Sequence, residues 1–175
     1  MLKTDMKIFL IGYRCTGKTT IGKVLADRLN FDFFDTDLLI ERGSGLTIAQ
    51  IVEKYGWKEF RVLEKKSLLN TKNFKNTVIA TGGGIIIDPE NQTFLKKNGF
   101  CVWLDANLET ILYRLKTDNK TCSSRPSLTN KDLLNETKEL INRRKPLYEQ
   151  TAKIRIDVSY QTPEEIANII DRRLS

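Results

Sequence analysis

Gly12-Tyr13-Arg14-Cys15-Thr16-Gly17-Lys18-Thr19 has the spacing G-x-x-x-x-G-K-[ST]. Ahead of it Lys7–Ile11 is a short apolar run, a buried-strand candidate. Behind it Lys18–Leu29 places Ile21, Val24, Leu25 and Leu29 on one helical face. A strand, a glycine-bearing turn and a helix are the context a phosphate loop needs. Glycines let backbone N–H groups converge on phosphate oxygens, and the helix N-terminus adds positive potential. Lys18 is then expected at the β- and γ-phosphates of a nucleoside triphosphate, and the Thr19 hydroxyl at a Mg²⁺ position. The motif identifies a triphosphate site without saying what the triphosphate is for.

Outward from the loop, strand-like and helix-like segments alternate. Phe31–Phe34 reads as a strand. Thr47–Tyr55 reads as a helix, with Thr47 and Gln50 at capping-box spacing and Gly56 as its stop. A second helix is expected from about Lys58 to Leu69. Thr77–Thr81 is a strand ending in Gly82-Gly83-Gly84, and Asp88-Pro89 opens a helix. Phe100–Leu104 is a strand, and Asn107 starts a helix. Residues 117–127 are polar and break the pattern. Helix resumes from Thr129 with Leu133, Leu134, Leu140 and Ile141 as its apolar stripe. Lys153–Val158 alternates as a strand, and Thr162-Pro163 starts a last helix. Five strands interleaved with helices predict an α/β fold with a parallel sheet covered on both faces. Ligands of such sheets bind beyond the C-terminal ends of the strands, where the glycine-rich segments after Ile11 and Thr81 both fall.

The 175 residues fit one domain, 40% hydrophobic and 29% charged, the balance of a soluble globular chain. No apolar run approaches the ~20 residues of a membrane span, and the N-terminus lacks a signal-peptide core. Cys15, Cys101 and Cys122 are an odd number without a CxxC pair, which points to a reducing, cytoplasmic setting. Histidine is absent, which excludes Ser-His-Asp and Cys-His nucleophiles, HExxH zinc sites and imidazole acid–base chemistry. The net charge is +7, favouring anionic ligands. With no block of like charge, the balance favours small phosphorylated or carboxylated molecules over nucleic acid. Nothing marks an oligomer interface, and a monomer is expected.

Several short segments carry acceptor chemistry. Asp35-Thr36-Asp37 puts two carboxylates after the second strand, either to divide work between Mg²⁺ and an acceptor hydroxyl or to cap a helix. Phe60-Arg61 lies on a helix, where a lone arginine is commonly a solvated residue. Gly82-Gly83-Gly84 opens the backbone to a ligand at an entropic cost, or forms a plain tight loop. Arg125-Pro126 sits in the polar stretch, which has the composition of a lid. Arg144-Lys145-Pro146-Leu147-Tyr148 is near an expected helix end, where basic residues also favour the dipole.

In order and rough spacing these segments, with the phosphate loop, resemble shikimate kinase, and they span nearly the whole chain. The resemblance implies a three-layer P-loop kinase fold of the nucleoside monophosphate kinase type. It implies a single domain over residues 1–175, with a substrate-binding segment at about 35–62 and a lid at about 117–128. It implies transfer of a phosphoryl group from ATP to the 3-hydroxyl of shikimate, with Mg²⁺. Gly12, Tyr13, Arg14, Cys15, Thr16, Gly17, Lys18, Thr19 and Thr20 would bind ATP, with Arg114 and Pro163 flanking adenine. Thr19 and Asp35 would serve the metal. Asp37 would hold the shikimate hydroxyls, Arg61 and Arg144 would clamp the carboxylate, and Gly82, Gly83 and Gly84 would line the pocket. Lys18, Asp37 and Arg125 would be catalytic, Arg125 closing with the lid. Two positions depart from the pattern: Cys15 stands where the family often has glycine, and Ser127 where leucine is common. The residues alone also admit a kinase for another hydroxy acid such as gluconate, or an ATP-binding module without catalysis.

Overall fold

The computed structural model describes residues 5–117 and 132–174. The strands are β1 (Lys7–Ile11), β2 (Asp32–Asp35), β3 (Thr77–Ala80), β4 (Phe100–Asp105) and β5 (Ile154–Asp157). The helices are α1 (Lys18–Leu29), α2 (Thr36–Ser44), α3 (Ile48–Asn70), α4 (Pro89–Asn98), α5 (Leu108–Thr117), α6 (Leu133–Thr151) and α7 (Pro163–Leu174). The strands form one sheet in the order β2-β3-β1-β4-β5, and every pairing is parallel. The expected α/β architecture is present, with each strand within about two residues of its expected position.

The central strand shows why its sequence is apolar without a break. Ile8 and Leu10 pack with Ile21 and Leu25 of α1, Ile111 of α5 and Ile166 of α7. Phe9 and Ile11 point the other way, to Leu68 of α3, Leu95 of α4 and Tyr148 of α6. Both faces are covered, so the alternation of a half-exposed strand has no place here. A third, smaller cluster of Ile40, Ile48, Ile51 and Phe60 joins α2 to α3.

Local chemistry sets the helix ends as the sequence suggests. Thr47 and Gln50 form the reciprocal capping box, and Thr162 and Glu165 form another at the start of α7. Gly56 has φ 81° and ψ 167°, so α3 is two helical stretches joined at a left-handed glycine.

α6 departs from expectation in two ways. Thr129, the expected start, lies outside the described residues, and the described helix begins behind an Asp132 cap. Leu133 and Leu134 are exposed, while Glu136, Thr137, Arg144 and Tyr148 are buried. Leu140, Ile141 and Tyr148 pack on the apolar core, while Glu136 and Arg144 face the phosphate loop and the glycine segment. The helix also runs through Pro146 to Thr151. Arg144 therefore sits a turn and more before the C-terminus, and attraction to the helix dipole does not explain it.

The order 2-3-1-4-5 leaves β1 between β3 and β4. The connection after β1 leads to one side of the sheet and that after β3 to the other. The crevice where they part is the ligand position of such sheets. The phosphate loop leaves β1 there, the triple glycine leaves β3 there, and Asp35 ends β2 beside them.

Candidate active site

Two cavities open along this edge. The larger, about 1180 Å³, runs over the phosphate loop and is lined by Cys15–Thr20, Asp35, Asp37, Arg114, Thr117, Gln161 and Pro163. The smaller, about 450 Å³, lies between α2, α3, the triple glycine and α6. It is lined by Arg14, Asp37, Trp57, Arg61, Glu64, Gly82, Gly83, Gly84 and Arg144. Asp37 is the residue common to both linings.

The larger cavity has the shape a triphosphate needs. Gly17 is in the left-handed region at φ 86° just before α1, turning the chain so that the first N–H groups of the helix face the channel. Cys15 is also left-handed, at φ 62°. This conformation is costly for a side-chain-bearing residue, and it gives a physical reason for glycine at this place in the resembling family. Lys18 Nζ donates to the carbonyls of Gly12 at 2.9 Å and Tyr13 at 2.7 Å, which pins the ammonium inside the loop. Arg114 donates to Cys15 O at 3.2 Å and Val158 O at 3.0 Å, tying α5 to the loop and to the end of β5.

Thr19 Oγ1 donates to Asp35 Oδ2 at 2.7 Å. The other carboxylate oxygen, Oδ1, accepts from the N–H groups of Asp37 and Leu38 at the start of α2. The cap reading of Asp35 therefore holds through Oδ1, and Oδ2 is turned to the loop. A hydroxyl and a carboxylate side by side are hard oxygen donors of the kind Mg²⁺ takes. Mg²⁺ in nucleotide sites uses one or two protein oxygens, with phosphates and waters completing the shell. The absence of a cluster of three metal-ligating side chains among the described residues is compatible with that arrangement.

Charged side chains from separate elements build the smaller cavity. Asp37, on the first turn of α2, is only 6% exposed. Arg61 stands on α3 with its guanidinium 5.6 Å from the Trp57 ring centre and 5.3 Å from that of Phe60. Its Nη1 donates to Glu64 Oε2 at 2.5 Å. Arg144 reaches in from α6 and donates to Gly83 O at 3.3 Å. Among the described residues no carboxylate lies within ion-pair distance of Arg144. The Tyr148 hydroxyl donates to the same Gly83 carbonyl at 2.5 Å, and its ring stacks on Trp103.

The three glycines serve three different neighbours. A Cβ on Gly82 would lie 2.5 Å from Glu64 Oε1 and 2.7 Å from Asp37 Oδ1. On Gly83 it would crowd the Arg14 backbone N at 3.2 Å, and on Gly84 it would overlap the Arg61 guanidinium. The segment is a strap drawn close to both carboxylates, the loop and a clamp arginine, and the plain tight-loop reading does not account for it.

Glu64 is 1% exposed. Burial pushes its carboxyl up to about 7; the Arg61 guanidinium pulls down and the Asp37 carboxylate adds to the rise. Burial likewise raises the Tyr148 phenol and lifts the Cys101 thiol, far from the site on β4, to about 12.

Most of the expected site residues converge. Cys15, Thr16, Gly17, Lys18, Thr19, Thr20, Arg114 and Pro163 line the larger cavity. Asp37, Arg61, Gly82, Gly83, Gly84 and Arg144 line the smaller. Three loop positions expected at ATP, Gly12, Tyr13 and Arg14, are not among the residues lining the larger cavity. A Cβ on Gly12 would overlap the Leu104 carbonyl, so its role is close packing of loop on β4. Tyr13 is buried in the core, and the Arg14 side chain lines the acceptor cavity. Arg125 and the expected lid fall among residues 118–131, outside the described residues. Glu64 escaped the sequence reading, and Tyr148 was part of a quoted segment without a role of its own. The available signal was helical spacing: Glu64 is three residues after Arg61, and Tyr148 four after Arg144, each on its partner's face.

The family model for shikimate kinase matches residues 14–175. The chain belongs to the shikimate kinase family. A shikimate kinase of Caldanaerobacter subterraneus subsp. tengcongensis is 43% identical over 94% of this chain and 94% of its own length. One from Sulfurihydrogenibium sp. is 42% identical over 95% and 98%. Among solved structures, the shikimate kinase from Acinetobacter baumannii in complex with shikimate has a TM-score of 0.90 at 35% identity. That match covers 97% of this chain and 92% of the other. The family's enzymes are kinases that use ATP, and the two cavities are where a kinase of this fold needs them. Among the described residues no helix is long and apolar enough to cross a membrane.

Proposed function

We propose that the chain transfers the γ-phosphoryl group of ATP to the 3-hydroxyl of shikimate, giving shikimate 3-phosphate and ADP. The observation that carries this reading is the single carboxylate, Asp37, shared by a triphosphate channel and an arginine-lined cavity. An acceptor hydroxyl held by Asp37 faces the channel, while its ring and carboxylate occupy the cavity. Membership of the shikimate kinase family supplies the substrate.

Each group has a task set by its geometry. Planar guanidinium forks bind carboxylates in two-point fashion, and Arg144 and Arg61 flank the strap from opposite helices. Arg144 meets the substrate carboxylate without a competing protein carboxylate among the described residues. Arg61 shares its charge with Glu64. The strap's backbone lines the wall between them. Asp37 orients the acceptor hydroxyl and takes up its proton as the O–P bond forms. Lys18 leaves its carbonyl partners to follow charge on the transferring group, since phosphoryl transfer is governed by alignment and charge neutralisation. Thr19 and Asp35 would hold Mg²⁺, which would supply positive charge against the phosphates. Arg114 and Pro163 flank the adenine. A monomer suffices because one chain forms both cavities, and the cytoplasm suits a chain with three cysteines and no CxxC pair.

The test is ADP release over a panel of shikimate, gluconate and nucleoside monophosphates. Turnover with shikimate alone is expected. Turnover with gluconate and none with shikimate overturns the reading.

A further inference from the structure

The phosphate loop carries a side chain that faces away from phosphate. Arg14 is the third residue of the loop, yet its side chain lines the acceptor cavity with Asp37, Arg61 and Arg144, and it is absent from the lining of the nucleotide channel. We propose that Arg14 is a third guanidinium for the acid substrate, a specificity residue of the acceptor site rather than a nucleotide ligand. The inference rests on the functional reading above and adds a residue to it.

Three observations converge on this role. First, the guanidinium is held in place from behind. Nη2 donates to Glu136 Oε1 at 3.2 Å, with the Arg14 side chain 11% and the Glu136 side chain 2% exposed. Its carbon lies 5.7 Å from the Tyr13 ring centre, and Arg144 lies 5.8 Å from the same ring. One buried tyrosine thus braces two of the cavity's arginines, which fixes their separation. Second, Arg14 Nε is buried and has no hydrogen-bond partner among the described residues. A buried N–H of a charged group is costly to leave unmatched, and the lining places an oxygen of a bound acid within its surroundings. Third, the charges facing the cavity are Arg14, Arg61 and Arg144 against Asp37 and Glu64. Three guanidiniums line one small cavity, Arg14 braced by Glu136 behind it, and their planar forks suit a carboxylate. Gly83 makes the approach possible, because a Cβ there would press on the Arg14 backbone.

The experiment measures KM for shikimate and for ATP separately in the wild type and in Arg14→Ala, Arg14→Lys, Glu136→Gln and Arg144→Ala. Arg14→Ala is expected to raise the shikimate KM on the order of 10-fold while the ATP KM stays within about twofold. Arg14→Lys keeps the charge without the fork and recovers only part of the loss. Glu136→Gln, which loosens the guanidinium from behind, raises the shikimate KM by a smaller factor. An ATP KM that rises as much as or more than the shikimate KM in Arg14→Ala overturns the proposal, since that is the mark of a nucleotide ligand or a damaged loop. An unchanged shikimate KM overturns it as well. The controls separate this from the broader reading. A wild type active on shikimate, with Arg144→Ala impaired and Arg14→Ala not, removes Arg14 alone. A wild type inert toward shikimate removes the function itself.

Discussion

The two cavities meet at Asp37 but are built on different principles. The nucleotide channel is mostly one contiguous run, Cys15–Thr20, acting through backbone N–H groups, a lysine and a hydroxyl. The acceptor cavity is made of charged side chains from α2, α3 and α6, the phosphate loop and the strap after β3. Backbone donors carry their partial charges wherever the chain turns correctly, so the channel needs few buried ions. The cavity concentrates formal charges away from water, and two of its arginines each lean on a nearly inaccessible glutamate, Arg14 on Glu136 and Arg61 on Glu64. Removing one partner of such a pair leaves the other exposed to the full cost of burial. The channel thus depends chiefly on how the backbone turns, with Lys18 and Thr19 as its charged and hydroxyl groups, and the cavity on charged side chains packed against a glycine strap.

The largest effects are expected where the two regions join. Lys18→Ala and Asp37→Asn lower kcat by two or more orders of magnitude, about 3 kcal/mol or above, in a coupled ADP assay. A kcat within threefold of wild type for Asp37→Asn would detach the shared carboxylate from the chemistry.

Next come the two clamp arginines, which the ion-pair pattern makes unequal. Arg144→Ala raises the shikimate KM by about 2–4 kcal/mol in binding terms, with the ATP KM unmoved. Arg61→Ala costs less, because its charge is already shared with Glu64. Steady-state kinetics on both variants ranks them, and a larger loss in Arg61→Ala reverses the assignment of the freer cation.

Glu64 gives a pH signature peculiar to the cavity. Its carboxyl is raised from 4.5 to about 7, so the folded protein binds the proton more tightly than the unfolded chain. Stability from this group is therefore full below about 4.5 and is lost as pH rises through about 7, by up to about 3 kcal/mol. Urea unfolding across this range shows wild-type stability falling relative to Glu64→Gln. A constant difference between the two proteins contradicts the burial argument.

The smallest effect is at the strap. Tyr148→Phe removes the hydroxyl that donates to Gly83 O. About 1 kcal/mol of stability and a few-fold rise in shikimate KM are expected, with the ATP KM constant. Thermal melts and the same kinetic assay check both.

The contrast between the regions also explains what was legible from residues alone. The phosphate loop, its strand and its helix are local in sequence, and their spacing has one physical reading. The parallel sheet followed from apolar runs such as Ile8–Ile11, buried on both faces. Asp37, Arg61 and Arg144 were candidates whose ordinary role, surface charge, could be set aside only once the fold carried them to one edge, and Asp35 keeps its cap while also reaching Thr19. The roles of Glu64 and Tyr148 were not legible, because a buried acid or phenol looks like any other until its neighbour in space is known. Arg14 illustrates the opposite case: its sequence neighbours belong to the phosphate loop, while its side chain contacts Tyr13 and Glu136 and it lines the smaller cavity. Half of the stripe expected on α6 holds, Leu140 and Ile141 packing on the core, whereas Leu133 and Leu134 are exposed and Glu136 and Arg144 are buried beside the site.

The joint at Asp37 is tested most directly by measuring binding and transfer side by side in wild type and Asp37→Asn. Phosphorus NMR of wild type with ATP and shikimate is predicted to show shikimate 3-phosphate accumulating with ADP. In Asp37→Asn, calorimetry is predicted to find ATP bound about as tightly as in wild type while the product signal is lost. Product formed by Asp37→Asn at the wild-type rate, or no product from the wild type, would contradict the account.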